Sequence, residues 1–192
     1  MSNLVLNGKS NMSGGTFEEV DVDGVITIKG DLICDTMEVD GIFKVRGNTH
    51  IKEKMEVDGV CKIFGDLNAE NMDIEGVLTV YGNVTAESAK IEGAIKLDGT
   101  FNVGLLDLKF FNSPDIKEIV GGKIHIRNGT KRWYFKAELI EGDDVHVERS
   151  KVKLIRGDNV IIGAGCTVDR VEYRSGLEIH PKSRVKEKIV LS

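Results

Sequence analysis

The tripeptide Val22-Asp23-Gly24 returns four times within residues 22–107, each time 17 or 18 residues further along the chain. The copies are Val39-Asp40-Gly41, Val57-Asp58-Gly59, Ile74-Glu75-Gly76 and Ile91-Glu92-Gly93. A second glycine follows each copy six residues later, at Gly30, Gly47, Gly65, Gly82 and Gly99. A period near 17 is shorter than that of helix-pair repeats or propeller blades. It is typical of one turn of a β-solenoid, in which each turn contacts only the turns above and below.

Apolar residues occupy alternate positions within each repeat, as they do in strands with one buried face. In the first repeat the pairs are Ile26/Ile28, Leu32/Cys34 and Met37/Val39. Three short strands therefore make one turn, and each strand pairs in parallel with its copy one turn away. The chain is predicted to be an all-β, single-stranded parallel β-helix (solenoid) of about ten coils of roughly 17 residues. The glycines fall at the corners, where we expect positive φ angles.

The repeat loses regularity after residue 107 and then sharpens again. Leu139-Ile140-Glu141-Gly142 resembles Leu154-Ile155-Arg156-Gly157 at a shift of 15 residues. Because a solenoid has no natural break in its contacts, we predict one domain. Its parts are a parallel β-helix domain over 16–192, with regular coils over 16–107, an irregular middle over 108–138 and a second set of coils over 139–188.

The first residues and the charge narrow the classes of partner. Residues 1–15 are polar and are predicted to be a flexible N-terminal tail, with no signal-peptide core and no run of transmembrane length. The net charge of −5 argues against nucleic acid as a partner. Residues 1–130 carry 13 basic and 21 acidic residues (−8), whereas residues 131–192 carry 13 and 10 (+3). In a rod, this puts opposite signs at opposite ends and favours head-to-tail contacts.

Residues that bind metals do not converge in the sequence. The three cysteines have no C-x-x-C spacing and the four histidines are scattered, so we predict no metal site and no cofactor. We interpret the cysteines as small buried residues in a reducing compartment. The column of acidic residues in the repeated tripeptides is interpreted as a solvated edge, with cation binding as the alternative. Its members are Asp23, Asp40, Asp58, Glu75 and Glu92.

Catalytic residues are not predicted. Residues 162–168 (Ile-Gly-Ala-Gly-Cys-Thr-Val) look like one hexapeptide of the β-helix acyltransferases, but the motif occurs once. The connections between strands are short, which leaves few walls for a cleft. We therefore expect that the protein is not an enzyme. A carbohydrate-active or acyltransferase-like enzyme is the weakest of the open alternatives.

The ends of a solenoid expose strand edges and stacked aliphatic side chains, which must be capped or paired. Neither end shows an amphipathic capping helix. We therefore predict that the end coils pair between copies and form a homopolymer, and that Ile28→Arg or Leu177→Arg blocks assembly without unfolding. The candidate assembly residues are Phe17, Val20, Val22, Ile26 and Ile28 at one end, and Tyr173, Leu177, Ile179, Val185, Ile189 and Leu191 at the other.

The densest aromatic and basic cluster is interpreted as an excursion from the β-helix. It consists of Lys131, Arg132, Trp133, Tyr134, Phe135 and Lys136. Two interpretations stay open. The loop either packs its aromatic rings along the flank of the rod or presents a docking patch for a membrane surface or a partner. The second supports an alternative function, a monomeric β-helix scaffold that binds a membrane or cell-wall partner.

The repeated unit (V/I)-(D/E)-G-x-x-x-(V/I/L)-x-G-(D/N) resembles that of the bactofilins, the bacterial polymer-forming cytoskeletal proteins. The resemblance is close over residues 16–107 and weaker through residues 139–158. It implies a right-handed β-helix that polymerises through its end coils without a nucleotide, in a structural role. It also implies a cytoplasmic location, with membrane association left open. Bactofilin filaments are non-polar, whereas the charge distribution favours head-to-tail contacts, so both polarities remain open.

Overall fold

The computed structural model describes residues 2–192, in which there are fourteen strands and no helix. Several strands, β2 above all, are long because the chain bends at corners without leaving the β-ladder. The strands are β1 (Leu4–Thr16), β2 (Glu19–Val39), β3 (Ile42–Val45), β4 (Thr49–Val57), β5 (Val60–Ile63), β6 (Leu67–Ile74), β7 (Val77–Val80), β8 (Val84–Leu97), β9 (Thr100–Phe110), β10 (Asp115–Asn128), β11 (Phe135–Val147), β12 (Ser150–Ile162), β13 (Thr167–Ile179) and β14 (Arg184–Val190).

All fourteen strands belong to one parallel sheet, which winds into a β-solenoid of about eleven turns, about 17 residues apart. Each segment pairs with its equivalent one turn away. Leu32 lies opposite Thr49, for example, and Thr49 lies opposite Leu67. The predicted all-β parallel β-helix is therefore confirmed. Because every ladder is parallel, equivalent side chains stack in columns along the rod.

The alternating apolar side chains point into the tube and form one continuous core from Val20 to Val171. Phe43, Phe101 and Phe110 are among the largest fully buried side chains, and small residues such as Ala89 share the same interior. Outward residues between them are exposed or half-buried. Each core side chain packs against its counterparts in the adjacent turns, so each turn is stabilised by its neighbours.

The glycine column sets how closely consecutive turns approach. A Cβ added at Gly41 would lie within 3.0 Å of the carbonyl oxygen of Gly24, and Gly59, Gly76 and Gly93 each stand in the same relation to the glycine before them. The five glycines are thus aligned along the rod, as predicted. The expected positive φ is wrong for these five, because the close approach of backbones is what requires glycine here. Among the described glycines, positive φ occurs at Gly8, Gly30 and Gly165.

The predicted flexible N-terminal tail is wrong for the residues that the structure describes, and Met1 lies outside them. Strand β1 pairs in parallel with β2, with Leu4 opposite Val20 and Met12 opposite Ile28. The segment has few apolar residues, and one of them, Val5, faces outward, which concealed its period-2 pattern. It forms an additional turn, which is one reason that the structure has about eleven turns where ten were predicted.

The region predicted as an irregular middle keeps the parallel ladder. Strand β10 pairs with β9 on one side and with β11 on the other. The chain leaves the ladder between Asn128 and Phe135, where residues 129–134 form a loop. Phe135 begins β11 and is fully buried, with its ring centroid 6.1 Å from that of Phe110. The later strands, β11 to β14, continue the same core.

Candidate functional site

The N-terminal end of the rod differs from the predicted one. Val20, Val22, Ile26 and Ile28 were expected at an open end, but β1 covers them and leaves each with no exposed surface. They therefore belong to the core and not to an assembly surface. An Ile28→Arg change would bury a charge and unfold the protein, which corrects the earlier expectation. Phe17 lies at the corner between β1 and β2, half-buried, and its N–H donates to the carbonyl oxygen of Ile33 at 2.9 Å.

Strand β1 itself forms the N-terminal edge. Within residues 2–192, its only neighbouring strand is β2. Leu4, Leu6 and Met12 point along the core columns and are only partly buried. Val5 faces outward between the two leucines and is 60% exposed. An edge strand with stacked aliphatic side chains is thus present at this end, one turn earlier than predicted.

At the C-terminal end, five of the six predicted residues lie in the last two strands, β13 and β14. The sixth, Leu191, directly follows β14. Strand β14 pairs with β13 only along Thr167–Tyr173. The second half of β13 has β12 on one side and no described strand on the other. Its inward residues Leu177 and Ile179 are half-buried in consequence. The remaining four are also half-buried and are Tyr173, Val185, Ile189 and Leu191.

The half-buried aliphatic residues Leu4 and Leu6 at one end and Leu177 and Ile179 at the other lie on the same two core columns. Leu177 lies opposite Val160 and Ile179 opposite Ile162, and parallel pairing carries these columns down the rod. The columns reach β2, where Leu4 and Leu6 of β1 extend them. Lys188 lies opposite the inward residue Val171 in the last turn and places a charge on another column. A charge at such a position is a device that limits edge pairing.

The aromatic and basic cluster does not form one surface patch. Phe135 is fully buried, and Lys136 lies in β11, with its N–H donating to the carbonyl oxygen of Pro114 at 2.9 Å. Trp133 packs against the core and is partly buried. Phe135 is therefore excluded from any docking patch, because no partner reaches its ring. Lys131 and Arg132 are exposed, and Tyr134 is half-buried.

Two side chains hold this loop in place, one from the next turn and one from the end of β10. The Arg149 guanidinium donates to the carbonyl oxygen of Lys131 at 2.6 Å, and the Asn128 side-chain amide donates to that of Trp133 at 2.7 Å. The same guanidinium lies 4.6 Å from the centre of the Tyr134 ring. The rings of Trp133 and Tyr134 thus lie along the flank of the rod, whereas the ring of Phe135 lies in its interior.

A groove on one side of the rod was not predicted from the sequence. It has a volume of about 610 Å³ and crosses several turns, with Ala89, Leu106 and Ile124 among its apolar floor residues. His125 and His146 stack in its wall, with ring centroids 4.7 Å apart. Burial lowers the pKa of His146, and the charge of His125 lowers it further. The repeated patterns Ile-His-Ile and Val-His-Val were the signal in the sequence that could have paired these two histidines.

Reactive and metal-binding groups are dispersed. The three cysteines are buried and unpaired, as predicted, and burial raises the pKa of Cys34 and Cys61 to about 12 and that of Cys166 to about 11. They are therefore protonated at neutral pH and contribute packing. Within residues 2–192, no group of three or more His, Cys, Asp or Glu side chains is placed to hold a metal ion. In the same residues there is also no helix with the length and hydropathy that crossing a membrane requires.

Comparison with known proteins shows the family of this chain. No family model and no solved structure matches it. The chain is 36% identical over 101 residues to the uncharacterized protein YhbF of Bacillus subtilis (strain 168), a match that covers 48% of this chain and less than half, 42%, of that relative. It is 34% identical to the uncharacterized protein YhbE of the same organism, in a match that covers 95% of this chain and 95% of that relative. Since this second match spans nearly all of both proteins, the chain belongs to the family of YhbE.

Proposed function

We propose that the protein is a structural, self-assembling protein of the bactofilin type, which polymerises through its end turns without a nucleotide. The observation that supports this best is that both end turns have partly unpaired strand edges within residues 2–192. Unpaired N–H and C=O groups of an edge strand readily pair with another strand. The stacked core columns end at the same places, so pairing also buries apolar surface.

The match between the two ends supports stacking in register. Leu177 and Ile179 lie on the same columns as Leu4 and Leu6, so a head-to-tail contact would continue both columns from one copy into the next. Strand β14 pairs only with the first half of β13. The second half of β13 therefore has unpaired backbone groups that can bind the partner copy. Head-to-head and tail-to-tail contacts bring like edges together and bury the same side chains.

The proposal places the protein in the cytoplasm, with itself as the main partner. Three buried cysteines without a disulfide are typical of a reducing compartment. Catalysis and cofactors have no part in this proposed role. The repeat resemblance to the bactofilins, given above, is the second support for a polymer.

Electron microscopy and sedimentation of the purified protein without nucleotide test this proposal. Leu6→Arg and Leu177→Arg each place a charge in a half-buried end column, so we expect a folded monomer that no longer forms filaments. Val5→Arg is the matched control, because Val5 is adjacent to Leu6 but faces outward. Assembly that is the same in both end variants as in the wild type would refute the role of the ends.

A monomeric scaffold that binds a membrane or cell-wall partner is the second candidate. It is favoured by the exposed aliphatic column Val25, Ile42, Val60 and Val77, which lies beside Lys44 and Lys62 along the side of the rod, where end-to-end contacts do not cover it. Wild-type protein that stays monomeric at high concentration would favour this candidate over the polymer.

A further inference from the structure

One side of the rod carries a continuous apolar column on its outer surface. The column lies just after the repeated tripeptide, where Val25, Ile42, Val60 and Val77 stand opposite one another in successive turns. Each of the four is 37–42% exposed. Single exposed aliphatic residues are ordinary, but a column repeated over four turns is a contiguous apolar stripe of the kind that marks an interaction surface.

Cations flank this stripe on the same face, which we call the lysine face. Lys44 and Lys62 stand opposite each other two residues further along their strands, and Lys96 lies opposite Thr79 in the same column. Three more cations lie on the face. They are Lys9, opposite Val25, and Lys29 and Arg46 at the next outward positions of their strands.

The lysine face is positive although the whole chain has a net charge of −5. Over the five turns in which the face runs from Val25 to Asp98, its outward positions include one carboxylate. This is Asp98, which pairs with Lys96 at 3.4 Å. Of the six cations, the other five form no ion pair with any carboxylate of residues 2–192. Positive charge is thus concentrated on this side, and five of its six cations have no carboxylate partner within residues 2–192, which indicates an anionic partner.

Two aromatic rings extend the apolar surface next to the cations. Phe64 and Tyr81 are outward neighbours in successive turns and stack with their centroids 5.1 Å apart. The Lys62 ammonium lies 5.0 Å from both ring centres. Exposed aromatic rings, of which Tyr81 also carries a hydroxyl, and lysines with long apolar stems are side chains that suit the boundary between lipid headgroups and acyl chains.

We propose that the lysine face docks on an anionic lipid bilayer. The cations would bind the phosphate groups of acidic lipids, and the aliphatic stripe with its two rings would enter the headgroup boundary. A second copy of the chain offers an acidic column as an alternative occupant, formed by Asp40, Asp58 and Glu75 among others. That column would neutralise the lysines but would leave the aliphatic stripe without an apolar counterpart. The face lies along the side of the rod, so docking does not depend on contacts at the ends.

Co-sedimentation with vesicles tests this docking surface. Wild-type protein is compared on phosphatidylcholine vesicles with and without phosphatidylglycerol. We expect binding only to the anionic vesicles, and weaker binding at high salt. The double variant K44Q/K62Q should lower the partition coefficient about 25-fold, at about fivefold for each lysine removed. The double variant Ile42→Ser/Val60→Ser should weaken binding while leaving its salt dependence unchanged.

The matched control is K123Q/K182Q, which makes the same change in net charge away from the lysine face and should retain binding. All variants are also measured in the Leu6→Arg background, so that a change in assembly is not taken for a change in lipid affinity. Equal binding to neutral vesicles, or an equal loss in the control, overturns the proposal. A different result would identify a second copy as the partner and overturn the proposal. In that result the protein binds neither kind of vesicle but self-associates laterally in a salt-sensitive way, and K44Q/K62Q abolishes this association.

Discussion

Gly59 shows at the scale of one residue what determines the spacing of the turns. Its Cα lies against the carbonyl oxygen of Gly41, and a methyl group at this position would come within 3.0 Å of that backbone atom. A backbone atom held in a parallel ladder on both sides has little freedom to retreat. The glycine is therefore required by the approach of two chains, and substitution should strain both turns.

Gly59→Ala is expected to lower the free energy of unfolding by about 1–3 kcal/mol, the usual cost of inserting a methyl group where there is no space. Urea denaturation followed by circular dichroism measures this. Gly176→Ala is the control, because the nearest atom there is the end of the flexible Asn159 side chain, at 3.1 Å. A loss at Gly59 no larger than that at Gly176 would contradict the close-approach explanation.

His146 is the residue whose titration should affect stability near neutral pH. Burial, and then the charge of His125, holds the pKa of His146 below its ordinary value of 6.5. The unfolded chain therefore takes up a proton near pH 6.5, whereas the folded protein takes it up only at lower pH. Because the unfolded state binds more protons in that interval, stability falls as the pH falls below 6.5 and levels off below the folded-state pKa.

Thermal melts between neutral pH and the onset of carboxylate titration test this expectation. The melting temperature of the wild type should decline with falling pH, and His146→Gln should flatten that decline. His50→Gln is the control, because His50 is exposed and has no stacked histidine. An unchanged slope in His146→Gln would show that another group controls this pH range.

At the scale of the element, β11 shows how an aromatic cluster divides between core and surface. The chain returns from the 129–134 loop at Phe135, whose ring fills the interior beside Phe110. The preceding residues remain outside, held by Arg149 from the following turn. The alternation of a strand begins at Phe135, and this alternation decides which ring is buried.

Phe135→Ala should therefore cost about 3–5 kcal/mol of stability, as removal of a large buried ring does. Lys131→Ala, in the loop of the same segment, should change stability by less than about 0.5 kcal/mol. Equilibrium unfolding in urea compares the two. If the two substitutions had similar effects, Phe135 would not be the core residue that its burial indicates.

Strand β1 is the element with the largest consequence for function. Its pairing with β2 buries four side chains that would otherwise form the end of the rod. The assembly edge is thereby moved to a strand with only three partly buried apolar residues, Leu4, Leu6 and Met12. An edge of this kind has less exposed apolar surface than the predicted one, so backbone pairing must contribute a larger share of any contact between copies.

At the scale of the whole molecule, each turn is stabilised by the turns on both sides of it. Turns in the middle have two neighbours, whereas the end turns have one within the described chain. In a solenoid, the free energy of local opening should therefore be lowest at the ends and highest in the middle. The half-buried state of Leu177 and Ile179 at one end agrees with this order.

Native-state hydrogen exchange followed by mass spectrometry measures this gradient. Peptides from β1, β14 and the second half of β13 should exchange first, and peptides from β6 to β9 last. In assembled protein the end peptides should become protected, while the Leu6→Arg variant should keep the monomer pattern. Uniform protection along the monomer would contradict independent opening of the ends.

The sequence alone determined the fold of this protein, because inward aliphatic residues and paired glycines recur at a constant period and only a stacked parallel solenoid satisfies both. It also placed the predicted C-terminal assembly residues in the last turns. It could not reveal β1, where four apolar residues among polar ones and glycines carry a weak pattern that β2 stabilises through pairing.

Only the tertiary structure decided which residues act together on the outside of the rod. His125 and His146 are 21 residues apart in the chain, and Lys44 and Lys62 are 18 apart, yet each pair stands side by side. The physical reason is that winding converts a separation of one turn into contact across a β-ladder. Surfaces such as the groove and the lysine face therefore exist only once the register of the turns is established.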